Sequence, residues 1–253
     1  MKVVVLATDS PSTWMLVNAL RIDYPNLKVV LELPVSRWIL MRRRVTRIGI
    51  IAVFGQILFM SGLPLLRLLA RRRIRTLLDL AGLNVQCPPK LVITRFNSVN
   101  SDQCVAWLGT EQPDVVVLNG TRIVSGAVLN ACQAFFLNTH CGITPAYRGV
   151  HGAYWALFKG DKKNAGVTIH GVDAGIDTGS IVYQALIDID KDDNFATYPI
   201  KQYILGIPLM RRALEDFHSG SLITTERNDL PSSIWHHPAI WTYLNARWFR
   251  DVR

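Results

Sequence analysis

Three side chains in this sequence have types and spacing suited to chemistry: Asn138, His140 two residues later, and Asp177, 37 residues after the histidine. Leu137-Asn138-Thr139-His140 follows the apolar run Ala134-Phe135-Phe136 and reads as a strand leading into a loop at Cys141-Gly142. Side chains alternate along a strand, so Asn138 and His140 share a face and Thr139 points away. Asp177 lies between Gly175 and Gly179, after the apolar strand Val167-Thr168-Ile169-His170, and the glycines predict a turn. An imidazole titrates near neutral pH, a carboxylate can fix its tautomer and charge, and an amide can hydrogen-bond an oxygen that becomes negative. Brought together, these groups can perform acyl transfer without a covalent nucleophile. Taken singly, each also has an ordinary reading: an Asn near a strand end, a satisfied core His, an Asp in a turn.

The elements needed to hold them in place are legible. Met1 to Thr8 reads as a buried first strand, and Asp9-Ser10-Pro11-Ser12-Thr13 as a loop into a capped helix from Trp14 to Leu20. Further strands are expected at Val29–Leu33, Leu91–Thr94 and Asp114–Leu118, and a helix at Ile207–Phe217. Val115 to Leu118 is continuously apolar, as strands buried on both faces of a parallel sheet are. Strands alternating with helical stretches predict an α/β fold, a doubly wound, mostly parallel, Rossmann-like sheet with a short C-terminal extension. No G-x-G-x-x-G follows the first strand, so a nicotinamide cofactor has no support. The expected division is a catalytic domain over residues 1–220 and an aromatic, basic extension over 221–253.

With 253 residues the chain can bury a full core. Cys87, Cys104, Cys132 and Cys141 lie far apart without a C-x-x-C pair, which argues against a disulfide frame or zinc site and for a reducing, cytoplasmic setting. The N-terminus becomes polar too soon for a secretory signal peptide. Residues 37–75 break the charge balance: ten arginines (37, 42, 43, 44, 47, 67, 71, 72, 73 and 75) and no acid, more than the whole net charge of +9. Between Arg47 and Arg67 run nineteen uncharged residues, interrupted by Gly49, Gly55, Gly62 and Pro64. This insertion admits three placements: a helix or helical hairpin packed on the core, an apolar and basic surface resting on an anionic membrane at its inner face, or a membrane span. A single span would separate strands that the sheet needs together. Only Trp38, Phe54 and Phe59 interleave the basic run, too few aromatics for a nucleic-acid surface.

The segment from Asn138-Thr-His-Cys-Gly-Ile-Thr-Pro145-Ala-Tyr147-Arg148-Gly149 through His151-Gly-Ala-Tyr-Trp155-Ala and Gly166-Val-Thr-Ile-His170 to Val172-Asp173-Ala-Gly-Ile-Asp177-Thr-Gly179 resembles the folate-dependent formyltransferases. The resemblance is strong over about residues 113 to 182. It implies Asn138, His140 and Asp177 as catalytic residues, with 10-formyltetrahydrofolate as the formyl donor co-substrate, a primary amine as acceptor, and no metal. By position in the family, folate contacts fall on Arg122, Ile123, Val172 and Asp173, through backbone or side chain. Tyr147, Arg148, His151 and Tyr154 would line the acceptor side or shape its loop, whereas Trp155 fits the core at helical spacing.

Among acceptors, a glycinamide ribonucleotide would call for a Gly-rich phosphate loop where this chain has Ser10-Pro11-Ser12-Thr13, and a methionyl-tRNA for a larger C-terminal region. The resemblance therefore leans to the sugar N-formyltransferases, acting on a nucleotide-linked amino sugar such as GDP-perosamine for O-antigen and lipopolysaccharide synthesis. A non-catalytic nucleotide-binding protein or a membrane-surface interaction protein on the same fold remain readings of another class. The stretch Ser233 to Arg250 is aromatic and basic; it is expected to pack on the domain, close over the acceptor, or form a homodimer contact. His236-His237 is a poor metal site, since adjacent side chains diverge.

Overall fold

The first strand, β1 (Val3–Thr8), is buried almost throughout, and its alternating side chains feed two different cores. Val3, Val5 and Ala7 pack with the helices α1 (Pro11–Asp23) and α7 (Tyr198–Ser219). Val4 and Leu6 pack with the helices on the other face, α4 (Asp102–Glu111) and α5 (Gly126–Leu129). Two covered faces are what a continuously apolar strand requires, so the sheet is doubly wound. The computed structural model describes residues 1–36, 42, 44–46 and 48–253. Arg37, Trp38, Arg43 and Arg47 lie outside the described residues.

The remaining strands are β2 (Lys28–Glu32), β3 (Ile93–Phe96), β4 (Val115–Asn119), β5 (Phe135–His140), β7 (Gly166–Gly171) and β8 (Ile181–Leu186). They form one seven-stranded sheet in the order β3-β2-β1-β4-β5-β7-β8. Pairings are parallel from β3 to β5, and β7 alone runs against the rest, pairing antiparallel with both β5 and β8. Strand order reverses at β1 and β4, which opens a crevice beyond their carboxyl ends. Ser10 caps α1 by accepting from Thr13 N, with Pro11 at the first helical position, as Ser and Pro there favour.

Among the described residues of the insertion, α2 (Ile50–Leu69) and α3, which runs on past it (Arg71–Leu80), separate β2 from β3. Phe59 and Leu63 of α2 join a third cluster with α6 (Gly152–Phe158), Phe195 and α8 (Ile240–Phe249). Residues beyond 220 return to the body. Two short strands, β6 (Arg148–Gly149) and β9 (Ile234–Trp235), pair in parallel, and Thr225 bridges Ile181. Trp155 Nε1 donates to His236 O at 2.9 Å. Strand limits differ from the sequence expectation by one or two residues, while α7 begins at Tyr198, nine residues before the expected Ile207. Gly206 and Pro208 weaken the local helical signal there, and burial of Gln202 and Tyr203 against the sheet, with Tyr198 in the cluster beside Phe195, compensates.

Candidate active site

Asn138 and His140 project from the last residues of β5, and Thr139 points the other way, toward Gly206 of α7. The antiparallel register sets Asn138 opposite His170 and His140 opposite Thr168. Asn138 Nδ2 therefore lies 3.1 Å from His170 Nε2. His170 Nδ1 donates to Gly171 O at 2.6 Å, so in the neutral ring Nε2 is the acceptor and holds the nitrogen end of the Asn138 amide.

Asp177 reaches these groups from the turn after β7, at φ 50°, a left-handed conformation that Asp tolerates better than most residues. The glycine at 179 is required by close approach: a Cβ there would lie 1.9 Å from Gly171 O. Asp177 Oδ2 is 3.3 Å from His140 Nδ1 and accepts from Gly149 N at 2.8 Å, while Oδ1 is 3.6 Å from His170 Nε2. One carboxylate thus faces two imidazoles, and all three sequence-predicted catalytic residues meet in one place.

His140 is buried, and its Nε2 donates to Tyr147 O at 2.7 Å. Its two nitrogens therefore face a carbonyl and a carboxylate, an environment that only the protonated ring satisfies on both sides. Burial nevertheless lowers its pKa, against the raising effects of Asp177 and the Tyr147 carbonyl. Burial raises Asp177, but the neighbouring His170 and His140 imidazoles and the Gly149 N–H outweigh it and hold the carboxyl at about 2. Near neutral pH the pair is an ionised carboxylate beside a neutral ring with a reason to take up a proton.

These groups open on a cavity of about 530 Å³ in the crevice beyond β4 and β5. Arg122, Ile123, Val172 and Asp173, the residues assigned to folate, all line it. The Arg122 side chain is committed to the protein. Its Nε donates to the buried Glu32 at 2.5 Å, and its Nη2 to Leu33 O and Asn97 O. Asp173 Oδ1 accepts from Gly175 N and Thr178 Oγ1, bracing the loop that carries Asp177.

The four residues expected on the acceptor side divide. His151 lines the cavity, and its Nε2 lies 2.9 Å from His237 Nδ1 of the C-terminal segment. Arg148 Nη1 donates to Ile176 O, bracing the turn next to Asp177, and its buried Nε has no partner among the described residues. Tyr147 and Tyr154 turn away from the cavity. Tyr147 stacks on Trp235 and donates its hydroxyl to Asp161, and Tyr154 is enclosed by Trp155, Phe195 and Tyr243. Their positions follow from the tail, whose return supplies Trp235 and Tyr243. His170, Gln202 and Tyr203 also line the cavity and were not singled out from the sequence. The signal for His170 was its place at the end of an apolar strand, on the face that β5 shares; for the other two it was helical spacing in a stretch weakened by Gly206 and Pro208.

Residues 84–202, just under half of the chain, match the formyl transferase family. A methionyl-tRNA formyltransferase from Chlorobium limicola is 30% identical over 118 residues, 47% of this chain and 37% of that protein. The match spans less than half the length of such curated relatives. Among solved structures, glycinamide ribonucleotide transformylase 1 from Symbiobacterium toebii superposes with a TM-score of 0.58 at 20% identity, covering 93% of this chain and 94% of that one. The N-formyltransferase from Helicobacter canadensis, in complex with folinic acid and dTDP-3-aminofucose, superposes at 0.57 and 14% identity, covering 93% of this chain and 70% of that one. At these identities the structural likeness establishes the fold.

Proposed function

We propose that this protein transfers a formyl group from 10-formyltetrahydrofolate to the amine of a nucleotide-linked amino sugar. The observation that carries the reading is the convergence of Asn138, His140 and Asp177 on one cavity beyond β4 and β5, within the segment that matches the formyl transferase family. The cavity suits both substrates: Leu118, Ile123 and Val172 offer apolar wall to a flat heterocycle, and His151 marks the side left for the acceptor. The unprotonated amine attacks the formyl carbon, giving a tetrahedral centre with a negatively charged oxygen. One Asn138 amide hydrogen is held by His170, and the second is available to that oxygen. His140 takes the proton that the amine loses, and Asp177 stabilises the resulting imidazolium. The bond from the formyl carbon to folate nitrogen then breaks, and that nitrogen recovers a proton as tetrahydrofolate leaves.

The sugar acceptor is supported by the fold shared with an enzyme seen bound to a nucleotide amino sugar, and by a basic chain suited to a pyrophosphate. A 4-amino-4,6-dideoxysugar such as GDP-perosamine, destined for O-antigen, is the specific acceptor we propose. The likeness to glycinamide ribonucleotide and methionyl-tRNA enzymes makes those two acceptors the necessary controls. The test is to incubate the protein with 10-formyltetrahydrofolate and a panel of nucleotide amino sugars, following tetrahydrofolate release. Formylation of a sugar, abolished in His140→Ala, supports the reading; turnover on a control alone assigns a different acceptor, and silence across the panel refutes catalysis as proposed.

A further inference from the structure

The formyl-transfer reading leaves helix α2 unexplained. Only five of its twenty residues are buried: Val53, Gly55, Gln56, Phe59 and Leu63. Phe59 sits 4.8 Å from the Phe195 ring and 5.1 Å from that of Tyr243, and Gln56 Nε2 donates to His237 O. The opposite side is apolar and exposed. Ile50, Phe54, Leu58, Leu65 and Leu68 recur at helical spacing along one stripe, and Phe54 is 57% exposed. The neighbouring helix continues this surface. Trp241 of α8 lies against Gly55 of α2, where a Cβ would stand 2.3 Å from its ring, and it remains 45% exposed. Trp248, two helical turns further along the same side of α8, is 69% exposed.

Both ends of the stripe carry cations. Arg42 is exposed before α2, Arg67, Arg71 and Arg72 are exposed at and after its end, and no acidic residue occurs between Arg37 and Arg75. An apolar stripe with exposed tryptophans beside it and arginines at both ends matches the interface of an anionic bilayer, acyl chains below and phosphates at the rim. We propose that α2, with the tryptophan edge of α8, docks the protein on an anionic membrane surface, the helix lying in the plane of the headgroups. This inference does not rest on the acceptor or on catalysis.

Two other fates of the stripe fit less well. By length and composition α2 could cross a membrane. However, its inner face is packed on the body, and β2 and β3, which precede and follow it, are hydrogen-bonded neighbours in one sheet. A second copy of the chain could cover the stripe, but a two-fold contact would bring arginine-bearing ends together with no acid between Arg37 and Arg75 to offset them. The buried face of α2, behind the docking stripe, is joined to the cavity wall through Gln56, His237 and His151.

The test is flotation of the full chain with phosphatidylcholine vesicles, with and without phosphatidylglycerol, at low and high salt. Binding is expected to the anionic vesicles alone, weakened by salt and by about fivefold for each of Arg71 and Arg72 replaced by alanine. Phe54→Glu and Leu65→Glu, both exposed, should abolish flotation while circular dichroism and formyl transfer stay at parental levels. Flotation with neither vesicle overturns the proposal, as does undiminished flotation of the two glutamate variants. A dimer by light scattering that those same variants dissolve assigns the stripe to a second copy and overturns it as well.

Discussion

Replacing Asp177 with asparagine removes the negative charge between two imidazoles while keeping an oxygen for the Gly149 N–H. The carboxyl is held at about 2, against an ordinary value of 3.8. That difference corresponds to roughly 2 kcal/mol of folding stability in the ionised state. Because the folded value is the lower one, the contribution is complete above 3.8 and is lost as pH falls through about 2. The variant should therefore be less stable by that amount at neutral pH, and the gap should close toward the lower end of the window. Urea unfolding at the two pH values measures it. The catalytic consequence is larger. At 3.3 Å from His140 Nδ1, a full charge is worth about 5 kcal/mol to an imidazolium in a medium of effective dielectric about 20. Loss of this stabilisation, offset by relaxation, places the expected fall in kcat between about 10² and 10⁴. A variant that folds and keeps kcat within about tenfold of the parent would show that the carboxylate does not support a proton on His140, and the argument would fail.

Burial lowers the His140 pKa, so the acid limb of the kcat/KM profile should fall below pH 6.5; a limb at or above that value contradicts the placement of His140. Sign follows the same way for stability: the unfolded chain takes up the proton first, so this group costs stability as pH drops below 6.5. Gly142→Ala would put a Cβ 2.2 Å from Tyr147 O and 2.7 Å from His140 Nε2, the two ends of one hydrogen bond. The expected result is a loss of about 1 to 3 kcal/mol of stability together with a lower kcat, read by thermal melting and initial rates. Arg122→Ala strips the buried Glu32 of its side-chain cation but leaves the backbone donors of Val99 and Arg122. Stability should fall by about 2 to 3 kcal/mol with KM for the formyl donor unchanged; a raised KM at unchanged stability would give the side chain a binding role. Tyr154→Phe deletes a buried hydroxyl without a partner among the described residues, and denaturant midpoints should stay level or rise by up to about 1 kcal/mol.

Much of the site was readable because the relevant physics is local. Alternation along β5 puts Asn138 and His140 on one face whatever surrounds them, and Gly175 and Gly179 mark the turn at Asp177. The continuously apolar β1 and β4 announced a sheet covered on both sides, and Ser10-Pro11 announced the start of α1. Strand β8 and the first half of α7 carried weaker local signals, and their pairing with β7 and the sheet was needed to define them.

What tertiary structure alone decided is the set of pairings between distant residues. The register of β7 against β5 brings His170 to Asn138, although the two are 32 residues apart, and nothing in either strand by itself specifies that register. Arg122 and Glu32, ninety residues apart, meet because their loops end adjacent regions of the sheet, which commits the Arg122 side chain to an internal ion pair at the edge of the cavity. Tyr147 and Tyr154 face inward because the C-terminal segment returns with Trp235 and Tyr243. For α2, composition favoured packing on the core and argued against a span without excluding the membrane surface, and only packing against α8 determined which stripe is buried and which faces out. Periodicity and turn chemistry act within a few residues and can be read along a chain; pairing and burial depend on which distant surfaces meet.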